Sequence, residues 1–279
     1  MVELRELAVD YPAGSANLRG HGRVKAVAGA SAVFPSGGIS AIVGPSGCGK
    51  TSLVHAIAGL LVPASGEALI DGQSVHGIRA RTSVIFQDYG LLPWRSVEAN
   101  AELPLVIAGL RREDRRKRVR PLLEELGLSA FRDFYPSRLS GGMKQRVAIA
   151  RALAAEPDLL LMDEPFSSLD ALTREAAQEF LLEIRRARPL TILVVTHSIE
   201  EAVYLAESVF VMGGRNPGSI HARFDIPENR EAQRFSAEAL LPGPPWPDFR
   251  SEPRYLQLCA AIRVALRDSG PIDDAGDSR

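Results

Sequence analysis

Apolar and polar positions alternate along this chain in two distinct ways. Residues 5–11 (RELAVDY) switch sides with period two and predict a half-buried strand, and residues 24–34 predict a second. A Gly-, Ser- and Asn-containing loop (12–23) separates them, and PSGG (35–38) predicts a turn. ISAIVG (39–44), SVIFQ (83–87), LLLMD (159–163), TILVVTH (191–197) and SVFVM (208–212) are short apolar runs with polar or turn residues at their ends. Such runs suit strands of a parallel-containing sheet covered on both faces. KTSLVHAIAGLL (50–61) has helical spacing, and Asp71-Gly72 predicts a hairpin. From Gln87 to Pro157 the spacing is helical, so the chain reads as α/β. From about 213 to 252 it is Pro- and Gly-rich and is expected to be irregular. Residues 254–267 then place Tyr255, Leu258, Cys259, Ile262 and Leu266 on one helical face, which either packs on the core, the favoured reading, or meets a partner. The tail from 268 has the composition of a disordered end. No internal repeat is seen.

Composition narrows this picture only slightly. The 279 residues are 46% hydrophobic and 24% charged, ordinary for a globular domain, and the net charge of −1 selects no nucleic-acid or membrane partner. The arginine-dense RREDRRKRVR (111–120) reads as the wet face of a helix and not as a nucleic-acid patch, because no aromatics interleave it. No run reaches the roughly 18 apolar residues of a membrane span, and MVELRELAVDYP lacks the apolar core of a signal peptide, so any membrane role is expected to be peripheral. A disulfide at Cys48 would obstruct the glycine loop around it, which favours a reduced chain.

The chemistry concentrates at the ends of the apolar runs. GPSGCGKT (Gly44, Pro45, Ser46, Gly47, Cys48, Gly49, Lys50, Thr51) matches the phosphate-binding loop G-x-x-x-x-G-K-[ST], between an expected strand and an expected helix. Its glycines let backbone N–H groups close on phosphates at a helix N-terminus. Lys50 is expected to reach the β/γ-phosphates of a nucleotide, Thr51 to ligate Mg²⁺, and Ser52 to support a neighbouring oxygen. LLLMDEP (159–165) ends a buried strand in two adjacent carboxylates, which need a use there. Asp163 suits the Mg²⁺ position and Glu164 the base that orients water. A lone strand-end histidine is usually structural, but His197 ends a run at a sheet crest already assigned to nucleotide, and is assigned to the γ-phosphate and water. Gln87 is read likewise, as a neutral sensor of Mg²⁺ and water. Cys48, at a helix start, is expected to carry a more acidic thiol than usual, open to alkylation. LSGGMKQRVAIARAL (139–153) opens a second helix with one serine and two glycines, roughly a hundred residues after the first phosphate-binding loop. One nucleotide does not need two such helix starts from one chain.

The P-loop, Gln87, LSGGMKQ, LLLMDEP, SSLD (167–170) and His197 occur in the order and spacing of an ATP-binding cassette, and over residues 2–225 the chain resembles the nucleotide-binding subunit of an ABC transporter. That resemblance implies a P-loop NTPase (RecA-like) core with an N-terminal antiparallel β subdomain and a helical lobe at about 88–156. It implies an ATP-binding domain over 1–228 and a C-terminal extension over 229–279. It sends Ser140, Gly141 and Gly142 to the γ-phosphate held by another subunit's P-loop, Asp170 to the dimer seam, and Tyr11 to adenine, with a plain sheet role for Tyr11 as the other reading. FQDYGLLPWRSVEANAELPL (86–105), HSIEEAVYLAESVFVM (197–212) and GGRNPGSIHARFDIP (213–227) resemble the nitrate/sulfonate/taurine-type importer ATPases. The implied partners are a second copy in a homodimer, transmembrane permease subunits and, indirectly, an external solute-binding protein. The implied place is the cytoplasmic face of the inner membrane, with no nucleic acid bound. Trp94 lies near the family's permease groove or else fills the lobe's core. A non-transport cassette ATPase is the competing reading; it is disfavoured because the chain has neither a long coiled-coil insertion nor tandem cassettes.

Overall fold

The computed structural model describes residues 1–12, 23–214, 217–232 and 249–270. Residues 13–22 of the expected loop, parts of the Pro-rich stretch (215–216 and 233–248) and the tail 271–279 lie outside the described residues.

Two sheets form the scaffold. Strands β1 (Val2–Pro12) and β2 (Arg23–Phe34) pair antiparallel, and β4 (Ser65–Ile70) and β5 (Gln73–Ser74) complete a four-stranded antiparallel sheet in the order β2-β1-β4-β5. The second sheet contains β3 (Ile39–Val43), β6 (Thr82–Ile85), β7 (Leu159–Asp163), β8 (Thr191–Thr196), β9 (Ser208–Gly213) and β10 (Ser219–Asp225), in the order β10-β9-β3-β8-β7-β6. Its strands are parallel except for β10, which runs antiparallel along the β9 edge. The helices are α1 (Lys50–Ile57), α2 (Val97–Ala101), α3 (Leu103–Ile107), α4 (Arg112–Glu125), α5 (Gly141–Ala154), α6 (Ala171–Ala187), α7 (Ile199–Leu205), α8 (Pro227–Ala232) and α9 (Pro253–Asp268).

Strand alternation sorts the core into two layers. Ile39, Ala41, Val43, Leu160, Met162, Ile192 and Val194 face a cluster that also holds residues of α2–α7 and α9. Ile42, Leu161, Leu193 and Val195 face the other way, onto α1 and the antiparallel sheet. Both faces of the parallel sheet are therefore covered, which is why its strands read as unbroken apolar runs. Helices α2, α3 and α4 pack on α5, within the predicted helical stretch. The exposed arginines of α4 surround buried Val119 and Leu123, so residues 111–120 do form a wet helix face.

Several boundaries differ from the sequence reading. Helix α1 stops at Ile57 and not at 61, because Gly59 takes φ +74° and closes the end. The Leu60 N–H donates to His55 O at 2.8 Å and the Gly59 N–H to Ala56 O at 3.1 Å, the paired bonds of a glycine-terminated helix. Gln87 and His197 lie just past the ends of β6 and β8 and not inside them. The stretch expected to be irregular after 213 holds strand β10 and helix α8. In β10, Ile220, Ala222 and Phe224 alternate inward, a signal masked by the surrounding glycines and prolines. Tyr255, Leu258, Cys259 and Ile262 of α9 are buried in the core and Leu266 is partly so, as the helical-face reading required of a packed helix.

Candidate functional site

The candidate residues converge on one edge of the parallel sheet. The glycine loop leaves β3, Asp163 ends β7, and Gln87 and His197 follow β6 and β8, so adjacent parallel strands deliver all four at their C-terminal ends. That edge is where open α/β sheets bind ligands. A cleft of ≈ 690 Å³ opens there, lined by Thr51, His55, Phe86, Gln87, Asp163 and Ser167 among others.

The loop is tightly wedged. A side chain on Gly44 would strike the Met212 carbonyl and the Cys48 sulfur, and one on Gly49 (φ +96°) would come within 2.5 Å of Ala26 O. Gly218 holds the same spot from behind: its N–H donates to Ala26 O and its carbonyl accepts from Ala28 N, both at 3.0 Å, with the Cys48 carbonyl pressed against its Cα. The sequence reading missed Gly218, and no local motif marks it. Cys48 is overturned as a reactive thiol: it has no exposed surface, and burial pushes its thiol above the usual range.

Lys50 is buried. Its ammonium donates to Gly44 O and Pro45 O, both at 2.9 Å, and stands 4.0 Å from Glu164 Oε1. Glu164 holds a left-handed backbone (φ +46°), uncommon for a residue with a Cβ. Its N–H donates to Val195 O and its carbonyl accepts from the Ser167 hydroxyl, which fixes that turn. The carboxylate is 3.1 Å from His197 Nδ1, and His197 is 55% exposed. One carboxylate thus faces both a cation and an imidazole.

Asp163 is buried, and burial raises its carboxyl above the ordinary range while a bond from the Thr51 hydroxyl opposes that rise. Its Oδ1 has no hydrogen-bond partner among the described residues. A buried orphan carboxylate oxygen beside a threonine hydroxyl is a hard-oxygen pair that fits Mg²⁺, which takes one or two protein ligands and completes its shell with phosphate and water. Gln87 is exposed in the same cleft. Tyr11 is half-buried and its hydroxyl donates to Ser52 Oγ at 3.1 Å, which places its ring beside the start of α1.

The second helix start lies elsewhere. Ser140 is exposed and caps α5, accepting from Met143 N at 3.3 Å. Asp170 is exposed and caps α6, accepting from Thr173 N at 3.1 Å; those bonds hold its carboxyl below the ordinary range. The two caps abut: a Cβ on Gly142 would come 2.6 Å from the Thr173 methyl, and one on Gly141 would come 3.0 Å from Leu169. Arg151, farther along α5, donates to Tyr89 O and Gly90 O at 2.6 Å each and ties this helix to the segment after Gln87. Asn100 bonds Leu92, Arg95 and Ser96, and so fixes the loop carrying Trp94; that indole is 71% exposed and does not fill the lobe. Arg151 and Asn100 were not singled out from sequence, since isolated polar residues in helical stretches carry no pattern.

The comparisons agree with this geometry. The family model for the ABC transporter matches residues 27–167. The taurine import ATP-binding protein TauB of Rhizobium johnstonii is 45% identical over 224 residues, 80% of this chain and 85% of that protein. The protein of the same name from Yersinia pestis is 43% identical over 79% of this chain and 83% of its own. Among solved structures, an ATP-binding cassette captured as a dimer in a post-hydrolysis state with ADP and Pi matches with a TM-score of 0.68 at 30% identity, covering 81% of this chain and 98% of that one. The cbiO1 subunit of Clostridium perfringens, part of the ABC transporter complex cbiONQ, matches with a TM-score of 0.69 at 28% identity, covering 83% and 90%. This chain belongs to the ABC transporter family, as one of its ATP-binding cassettes.

Proposed function

We propose that the chain is the ATP-hydrolysing subunit of an importer, working as a closed pair of cassettes that drives a separate membrane permease. The observation that carries this reading is Glu164, held in a strained turn between Lys50 and His197 beside the buried orphan oxygen of Asp163. In this reading Gly44–Thr51 cradle the phosphates of ATP, with Ser52 behind them and Tyr11 against adenine. Thr51, Asp163 and Gln87 would hold Mg²⁺, which when bound screens the phosphate charge. Glu164 orients the attacking water and accepts its proton, and His197 donates to the γ-phosphate. Ser140, Gly141 and Gly142 of a second copy close the site from above, and Asp170 sits at the seam between the two copies. The cassette proper spans 1–228, followed by the extension 229–279.

The taurine relatives and the resemblance of residues 86–105 support a solute of the nitrate, sulfonate or taurine class, delivered by an external binding protein. The exposed Trp94 on its pinned loop supports docking of the permease at the lobe. No helix among the described residues is long and apolar enough to cross a membrane, which fits a subunit sitting peripherally on the cytoplasmic face of the inner membrane. The test is Glu164→Gln. Its turnover should fall by about 10²–10⁴, the usual worth of general-base help, while an ATP-bound dimer accumulates. Near-normal turnover would remove Glu164 from the role.

A further inference from the structure

His197 is mounted on a short element. It lies between β8 and α7, and α7 has seven residues, too few to be stable alone, so its neighbours set its position. One set of contacts comes from the catalytic edge. The Thr196 hydroxyl donates to Glu201 Oε2 at 2.6 Å and accepts from Ser198 N at 3.0 Å, so the residues flanking His197 are bonded across it. Glu201 is buried, which raises its carboxyl, and its Oε1 is 3.8 Å from Arg174 Nε. Arg174 Nη2 donates to Leu169 O at 2.7 Å. A continuous polar path therefore runs from the segment after Glu164, through Arg174 and Glu201, to the flanks of His197.

The other set comes from the C-terminal segment. The Tyr255 hydroxyl donates to Glu200 O at 3.1 Å, and Arg263 Nη2 donates to Glu200 Oε1 at 2.9 Å. The Arg250 guanidinium stacks 3.7 Å from the centre of the Tyr204 ring and donates to Gln178 Oε1 at 2.5 Å. Arg250 thus grips α7 and α6 together. Asn229 of α8 donates to Val203 O and Ala206 O, both at 2.8 Å, and closes the far end of α7. Phe249 meets Tyr255 edge to face, with ring centres 5.6 Å apart, and both are buried.

We infer that the segment Phe249–Asp268 braces α7, with Arg250 and Tyr255 as positioning residues that hold His197 against Glu164 through α6 and α7. Its mechanical part stands on these contacts alone, and its kinetic part rests on the ATPase reading above. Tyr255 bonds α7 and Arg250 bonds α6 and stacks on α7, so both act on geometry. A displacement of about 1 Å at a reacting group can lower turnover by about 10²-fold without removing any contact to substrate.

The test uses the full chain with Tyr255→Phe, Arg250→Gln and the double variant. Tyr255→Phe keeps the ring packing and removes only the hydroxyl, which guards against loss of fold. In the double variant kcat should fall by between about 10- and 100-fold with ATP affinity unchanged. Amide exchange across residues 199–205, measured without nucleotide, should quicken while exchange in β3 and β7 stays as in the parent. Parental kcat overturns the inference, as does unaltered exchange in α7, or loss of ATP affinity in step with kcat. A parent chain that does not hydrolyse ATP defeats the ATPase reading, and the exchange measurement then still decides the brace.

Discussion

The P-loop cleft and the LSGG helix start are built from similar residues and finished differently. At the cleft, one chain supplies a buried cation, a strained glutamate, an imidazole and an orphan carboxylate oxygen within one sheet edge. At the LSGG start, Ser140 is exposed and among the described residues its side chain bonds only its own helix, and the adjoining Asp170 does the same for α6. The first region is densely charged, and the Asp163 Oδ1 within it is buried with no hydrogen-bond partner among the described residues. The second is a pair of abutting helix N-termini turned outward, each offering its dipole to whatever approaches. A helix start that serves no other group among the described residues, in a family whose solved members include dimers, makes sense as half of a neighbour's site.

Four further substitutions or measurements sharpen that contrast, from the largest effect down. Lys50→Ala removes the cation from the cleft and should lower kcat by about 10²–10³, the usual worth of one preorganised donor, as read by steady-state ATP turnover. Gly142→Ala should destabilise the chain by about 1–3 kcal/mol in chemical denaturation, because the new methyl meets Thr173 at 2.6 Å. Adding Thr173→Ser, which removes that methyl, should recover much of the loss. If it does not, the glycine is required for something other than packing between the two caps. Cys48 should resist iodoacetamide in the folded chain and react only after unfolding, followed by intact mass; its raised thiol pKa and lack of exposure both point that way.

The smallest effect concerns the opposite edge of the same sheet. Asp158 bonds Arg79 and stands 3.3 Å from Arg81, and the Arg79 hydrogen bonds hold its carboxyl below the ordinary range. A depressed folded-state pKa adds stability above the unfolded-state value, and that stability is lost as pH falls through the folded-state value. Asp158→Asn should therefore lower stability at neutral pH by about 1 kcal/mol or less, given its partial exposure, and by nothing once the native carboxyl is protonated. ATP turnover at neutral pH should not change, which separates the structural edge from the chemical one.

The sequence showed the chemistry better than it showed the mounting. GPSGCGKT, the strand-end Asp163 and Glu164, and His197 were legible because each breaks an apolar run at a fixed place. The fold class followed from the same runs, since strands buried on both faces are built mostly from apolar residues. Gly218 was not legible, because its contact with Ala26 and Cys48 depends on β10 folding back beside β9. Arg174 and Glu201 were hidden for a similar reason: a charged residue on a helix looks solvated until another element covers it. Arg250 lay in a stretch that read as irregular and forms a short turn there. Cys48 misled in the opposite direction. The helix start argued for an acidic thiol, but close packing by the Gly44–Met212 contact buries the sulfur and burial dominates.

The central claim is that the exposed LSGG start completes a partner's ATP site, and mixing two inactive chains tests it most directly. Ser140→Arg should hydrolyse ATP poorly alone, and so should Lys50→Ala. A dimer holding one of each pairs an intact P-loop with an intact LSGG stretch at one site, so the mixture should regain activity that neither chain has. Hydrolysis by Ser140→Arg alone, or a mixture that stays as inactive as its parts, would contradict a site shared between two chains.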